Sequence, residues 1–507
     1  MASPPRSETT LNVLVASSEA CPFAKTGGLA DVCGSLPIEL SRIGVDVSVI
    51  LPAYRHVMES GMPLEELPIH FDLPIGNKVV SGQLLKSTLP NSDVPIYLVK
   101  NDEYFDRPEL YRENGEDYRD NCERFAFFSR AVLEAIRLLN MPVDLIHCND
   151  WQTGLIPALL NIEYIANPEY EKIASLMTIH NMAYQGNFWH WDMLLTGLDW
   201  KYFNMHQMEF YGHLNLLKTG IVFADSINTV SPRYAEEIQS QPMGCGLEGT
   251  LSEKADVLSG IVNGVDYEKW NPAIDKHIAS QYTPNNWQQG KPACKKALQE
   301  EFGLPCDPQI PVVGMVGRMA DQKGFDLVAD VIRDWVRNND TQWIILGTGE
   351  PNHESMLREL AAEFPHKVGV KVEFCEGKAR RVEAGSDMFL MPSLYEPCGL
   401  NQLYSLKYGT LPVVRNTGGL ADTITDATPD AIAAGTANGF SFKEYSSFAL
   451  AEALERARDM YVSDRAQWNS LVDTAMQQDW SWKRSASDYE NLYKLSIERK
   501  RLALQSS

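Results

Sequence analysis

In the segment Gly317-Arg-Met-Ala-Asp-Gln-Lys-Gly324 two cations, Arg318 and Lys323, stand in one glycine-bounded loop. A guanidinium offers a planar fork of donors and an ammonium a mobile point charge, a pairing suited to neutralising a departing diphosphate. Lys25-Thr-Gly-Gly-Leu-Ala-Asp31 sets a third cation just before Gly27 and Gly28, where missing side chains let a ligand approach the backbone and the first amides of a helix. The segment Pro392-Ser-Leu-Tyr-Glu396-Pro-Cys-Gly-Leu-Asn-Gln402 puts Glu396 ahead of Gly399, Leu400 and Asn401, whose amides at a helix start suit sugar hydroxyls or a β-phosphate. Asp150, in His147-Cys-Asn-Asp-Trp-Gln152, and His180, in Thr178-Ile-His-Asn-Met-Ala-Tyr-Gln-Gly186, add two titratable groups. Trp151, Tyr184, Trp189 and Trp191 have faces that could stack on sugar rings, or fill a core instead. Thr417-Gly-Gly-Leu-Ala-Asp422 echoes the first glycine turn and suits packing as well as ligand binding.

These residues need elements that hold them at turns. Short β-branched runs at Leu11–Ala16, Val45–Leu51, Asp144–His147, Ala174–Ile179 and Asp225–Val230 alternate with helical patterns such as Cys122 to Leu139. The rhythm restarts with Val312–Val316, Trp343–Leu346, Val370–Phe374 and Met388–Met391. Such alternation predicts an α/β fold with two Rossmann-like, doubly wound parallel-sheet domains, whose ligands bind past the carboxyl ends of the strands. The boundary is expected near residue 265: residues 1–10 disordered, 11–265 and 266–480 the two domains, and 481–507 a long helix packing back across the lobes. A literal G-x-G-x-x-G at Gly244–Gly249 follows a helical stretch and a proline, so it reads as a loop and not as a dinucleotide turn.

Composition narrows the partners. The chain has 507 residues, 44% hydrophobic and 22% charged, ordinary for a globular protein of more than one domain. Its net charge of −22 repels nucleic acid but tolerates a neutral polymer, and a phosphorylated ligand would need cations focused at its site. Nine scattered cysteines without a C-x-x-C spacing suggest a reducing compartment and no zinc site. No stretch is apolar for long enough to span a bilayer, so no membrane partner is expected.

The motifs at Lys25, His180, Gly317, Glu396 and Thr417 together resemble the glycogen synthases and starch synthases of glycosyltransferase family 5, in order and spacing, from Leu11 to about Tyr493. The resemblance implies a GT-B fold facing a central cleft, with the acceptor side in the first domain and ADP-glucose in the second. It also implies α-1,4-glucan elongation at the non-reducing end with retention, and neither metal nor pyridoxal phosphate. By matching position, it implies that Lys25, Arg318 and Lys323 contact donor phosphates, that Glu396 and His180 surround the glucose, that Asp150 is a further active-site residue, and that Phe374 lies near adenine. Gly27, Gly28, Gly399, Leu400 and Asn401 complete the donor candidates, and Trp151 and Tyr184 are those for the acceptor. Lys378-Ala-Arg380 departs from the family's Leu-Ala-His run, and Tyr404 stands where other GT-B families place a second glutamate. With no glycosidase-like carboxylate pair evident, front-face transfer is expected, gated by domain closure. The compartment expected is cytoplasmic, or plastidic if a transit peptide has been removed. The rivals are a pyridoxal-phosphate phosphorylase and a silent glucan-binding protein.

Overall fold

The computed structural model describes residues 10–506. The expectation for residues 1–10 therefore falls, Thr10 apart, outside the described residues. The chain forms two compact units, one of residues 10–264 with 482–506 and the other Val265–Ser481.

The first unit is built on β1 (Asn12–Ala16), β2 (Asp46–Pro52), β3 (Glu65–Ile75), β4 (Lys78–Thr88), β5 (Pro95–Lys100), β6 (Leu145–Asn149), β7 (Ala174–Ile179), β8 (Ser226–Thr229) and β9 (Leu258–Gly260). They form one sheet in the order β9-β8-β7-β6-β1-β2-β5-β4-β3. The seven strands from β9 to β5 run parallel. Val13-Leu-Val-Ala16 and Ala174 to Ile179 are buried throughout, as strands covered on both faces require. The edge hairpin β3–β4 is antiparallel and departs from a purely parallel sheet. It has its own signal: Leu67, Ile69, Phe71, Leu73 and Ile75 occupy every second position, and a two-residue turn follows with Gly76 at φ 59. A helix, α1 (Gly28–Arg42), follows β1.

In the second unit β10 (Val312–Val316), β11 (Gln342–Gly347), β12 (Val368–Val372), β13 (Met388–Met391), β14 (Leu411–Arg415) and β15 (Phe440–Phe442) form a parallel sheet ordered β12-β11-β10-β13-β14-β15. The order reverses between β10 and β13, and in the first unit between β1 and β6; at such switch points loops diverge to opposite faces and leave a crevice. Helices α2 (Asn401–Tyr408) and α3 (Gly418–Thr423) follow β13 and β14.

The C-terminal helix, Trp482–Ser506, belongs to the first unit, where it packs against α1, β6 and β7. Trp482, Ala486, Tyr489 and Tyr493 are its buried face. The Tyr493 hydroxyl lies 2.9 Å from His147 Nδ1, and Asn228 donates to the Tyr489 hydroxyl at 3.1 Å. Among the described residues no helix is long and apolar enough to cross a membrane.

Candidate functional site

Every candidate residue of the first unit lies beyond the carboxyl end of β1, β6 or β7, three neighbouring strands. After β1 the chain turns through Glu19 to the Lys25–Gly28 segment. Glu19 is 3% exposed, and its carboxylate accepts from the Thr26 amide at 2.6 Å, the Thr26 hydroxyl at 2.6 Å and the Gly27 amide at 3.3 Å, with the Tyr111 hydroxyl at 2.7 Å. A buried carboxylate thus holds the glycine turn. The sequence patterns miss Glu19 because a lone glutamate has no spacing; its place just past β1 is the only signal. Lys25 pairs with Asp31 at 2.7 Å. Neither Gly27 nor Gly28 has left-handed backbone, and a Cβ on either would meet nothing within 4 Å. Among the described residues no packing contact fills the space beside these two glycines, so the backbone there is open to approach.

Asp150 follows β6 with φ 55 and ψ −177, a region almost reserved for glycine, so its placement is strained. Its carboxylate accepts from the His180 amide at 2.8 Å. Burial, with a contribution from the nearby Glu19 carboxylate, pushes the Asp150 carboxyl up to about 7 against the pull of two backbone amides. His180 Nε2 lies 2.9 Å from Asn149 Oδ1, and Asn149 Nδ2 donates to the Ala16 and His147 carbonyls, which orients the amide. Nε2 therefore carries the proton and Nδ1 is left as an acceptor. Burial pushes His180 down to about 3, so it is a neutral imidazole at physiological pH. Tyr184 is 53% exposed. Trp151 is in the core, edge-on to Phe125 and Phe188 at 5.0 and 5.5 Å, with Gly186 against its ring. It presents no free face for stacking.

In the second unit Arg318 follows β10 and is exposed, with no hydrogen bond or ion pair among the described residues. Lys323 donates to Glu396 Oε2 at 2.7 Å, as does the Ser393 hydroxyl at 3.1 Å, fixing a carboxylate that is 6% exposed. The backbone also converges here. Gly419 donates to the Glu396 carbonyl at 3.1 Å, and a Cβ at Gly418, whose φ is 46, would come within 2.0 Å of that oxygen. Gly324, at φ 78, is as close to the Pro392 carbonyl, at 2.2 Å. The amides of Gly399, Leu400 and Asn401 find no acceptor among the described residues, while Asn401 Nδ2 donates to the Val316 carbonyl at 2.9 Å. Three unspent amides at the start of α2 are donors from which an anionic or hydroxyl oxygen could accept.

Phe374, 89% exposed, lies two residues past β12. Lys378 is paired with Glu373, and Arg380 with Asp275 and Glu376 under the Trp270 ring, so both cations are engaged within the protein. Tyr404 stacks on Trp270 at 3.7 Å and is core. Asp321, Glu350 and His353 bring ligand atoms within 4.8 Å of one another and could face a cation. His353 Nε2 lies 2.8 Å from Asp321 Oδ1, tethering the Arg318–Lys323 loop. Gly244–Gly249 passes from turns into a short helix and follows no strand.

The model of a family described as starch synthase catalytic domain matches residues 12–253, and one described as glycosyl transferases group 1 matches 299–470. A glycogen synthase of Rhodopirellula baltica is 46% identical over 503 residues, covering 97% of this chain and 99% of the relative. One of Syntrophotalea carbinolica is 44% identical over 488 residues, covering 96% and 99%. Among solved structures, the catalytic domain of starch synthase IV from Arabidopsis thaliana, bound to ADP and acarbose, superposes with a TM-score of 0.87 at 31% identity, covering 97% of this chain and 100% of that one. Sucrose-phosphate synthase from Thermosynechococcus elongatus, at 15% identity and a TM-score of 0.57, shares the fold.

Proposed function

Because the chain belongs to the family of glycogen synthases and starch synthases, glycosyltransferases of the GT-B fold, we propose that it transfers glucose from ADP-glucose to the non-reducing end of an α-1,4-glucan, with retention and release of ADP. The observation that carries the site assignment is Arg318, an exposed guanidinium without a partner among the described residues, on the loop after β10 in a chain of net charge −22. In so acidic a protein a cation without a partner of its own is suited to a phosphate. Asn401 ties the start of α2 to Val316, the last residue of β10, from which that loop leaves, which supports the Gly399–Asn401 amides as further donors to the diphosphate or sugar.

In this reading the bond from the glucose anomeric carbon to the β-phosphate oxygen breaks as the acceptor hydroxyl adds from the same face. The acceptor's proton passes to the departing phosphate. Arg318 and Lys323 stabilise the charge that develops on ADP. Glu396, held by Lys323 and Ser393, orients glucose hydroxyls and is not a free nucleophile. His180, neutral, accepts at Nδ1 from a sugar hydroxyl, and Asp150 positions the His180 backbone. Lys25 with the open surface at Gly27 and Gly28 contacts donor phosphate, Phe374 faces the adenine, and Tyr184 the acceptor. The phosphorylase and silent-scaffold readings are disfavoured by synthases matching over the full length.

Incubation with ADP-glucose and maltotriose, followed by sizing of the products, is expected to show stepwise elongation and stoichiometric ADP. Arg318→Ala should lower turnover by about two to three orders of magnitude with the fold intact. Full turnover by that variant would overturn the site assignment, and a trapped glucosyl adduct on Glu396 the front-face route.

A further inference from the structure

Gln402, in the first turn of α2, is fully buried. Its Nε2 donates to the Cys398 carbonyl at 3.0 Å and to the Gly399 carbonyl at 3.1 Å, and lies 3.3 Å from the Thr423 hydroxyl on α3. The opposite orientation of this amide would set Oε1 against both carbonyls, so the hydrogen-bond pattern decides which end is nitrogen. Oε1 then meets no donor among the described residues. An orphaned buried oxygen costs stability, and an apolar side chain of the same length would avoid that cost. Packing alone therefore does not account for an amide here; the contacts of Nε2 do. In a regular helix the backbone amides of residues 402 and 403 would take the carbonyls of 398 and 399. Here the chain turns at Gly399, whose φ is 72 and where a Cβ would collide with the Gln402 amide. The Leu403 amide bonds the Leu400 carbonyl at 2.9 Å, and the Gln402 side chain takes the two carbonyls instead.

We propose that Gln402 is a positioning residue for the donor: it aims the Gly399 and Leu400 amides at the β-phosphate and glucose of ADP-glucose while touching neither. The proposal rests on the reading of the chain as a transferase that uses ADP-glucose. The carbonyl of residue 398 and the N–H of residue 399 belong to one planar peptide unit, as do those of 399 and 400, and in a trans unit the two groups point in opposite directions. Drawing both carbonyls toward the buried Gln402 amide therefore drives both N–H groups away from it. The acceptors of the turn are spent inside the protein, and its donors stay unspent. The third contact carries the tie to Glu396. The Thr423 hydroxyl donates to the Gly419 carbonyl at 2.6 Å, and the Gly419 amide donates to the Glu396 carbonyl at 3.1 Å. One buried amide thus stands between the turn that presents free donors and the turn that carries the carboxylate.

The test compares Gln402→Met, nearly the same length but without the donor, with the parent for the KM of ADP-glucose and for inhibition by AMP. AMP carries neither the β-phosphate nor the glucose, so it does not need the two amides. The variant should raise the KM for ADP-glucose by about tenfold or more while its inhibition constant for AMP stays within about twofold. An unchanged KM for ADP-glucose would overturn the proposal. So would equal weakening of both ligands, because Gln402 would then be supporting the second unit in general and not aiming the amides. Gln402→Asn, which keeps the amide but leaves it one methylene short of the two carbonyls, repeats the comparison should the methionine variant misfold, and the same selective loss is expected. A parent that fails to turn over ADP-glucose sinks the functional reading instead, whatever the variants do.

Discussion

Asp150 meets water poorly, and its proton is held to about pH 7. The folded protein therefore binds that proton between the ordinary carboxyl value of 3.8 and about 7, whereas the unfolded chain has released it. Stability contributed at this residue is present below the unfolded value and falls as pH rises through the folded one. Asp150→Asn should flatten the decline of Tm between pH 5 and 7.5, and should remove any limb of the kcat profile near neutrality; a limb that persists unchanged assigns it to another group. His180 should add no limb there, because burial keeps it neutral down to about pH 3. At this scale the cations were legible: Lys25, Arg318 and Lys323 stand at turns in an acidic chain, where charge is informative. Glu19 was not, since four hydrogen bonds converging on one carboxylate exist only after folding. The fate of Trp151 was open for the same reason: tertiary packing decides whether an indole is platform or core.

Two elements begin with the same six residues, Thr-Gly-Gly-Leu-Ala-Asp, at Thr26 and at Thr417. Their glycines have opposite causes. Open space surrounds Gly27 and Gly28, whereas a Cβ at Gly418 or Gly419 would press within 2.0 Å of a carbonyl in the Glu396–Cys398 turn. Gly28→Ala, at a helix start, should leave Tm unchanged or slightly raised and increase the KM for ADP-glucose. Gly418→Ala should cost about 2–4 kcal/mol in urea unfolding and displace Glu396, with turnover lost. Equal stability for the two variants would refute the distinction. Sequence alone could not separate them, because the neighbour that makes the second pair obligatory lies about twenty residues away and meets it through the chain fold. The parallel strands were legible as apolar runs. The β3–β4 hairpin declared itself by period two, which a search for continuous runs passes over.

At the scale of the whole chain, the alternation of strand and helix was enough to read two doubly wound sheets. What alternation could not reveal was which unit would claim the last helix. That choice follows from Tyr489 and Tyr493 finding Asn228 and His147 inside the first unit. A chain ending at Ser481 should retain a cooperative transition from Val265–Ser481 and lose that of residues 10–264, with a synthetic 482–507 peptide restoring it. Two unaffected transitions in calorimetry would show that the helix is dispensable.

The second unit is thus spliced into the first, and this orders events at the ribosome. Residues 265–481 form a continuous stretch and can fold as soon as they emerge, but the first unit stays unfinished until the helix that covers β6 and β7 is made. At ordinary elongation rates that wait is on the order of ten seconds or more. Throughout it, the surface of β6 and β7 that the helix covers stays open in the nascent protein, so the first unit, begun before the second, is completed after it.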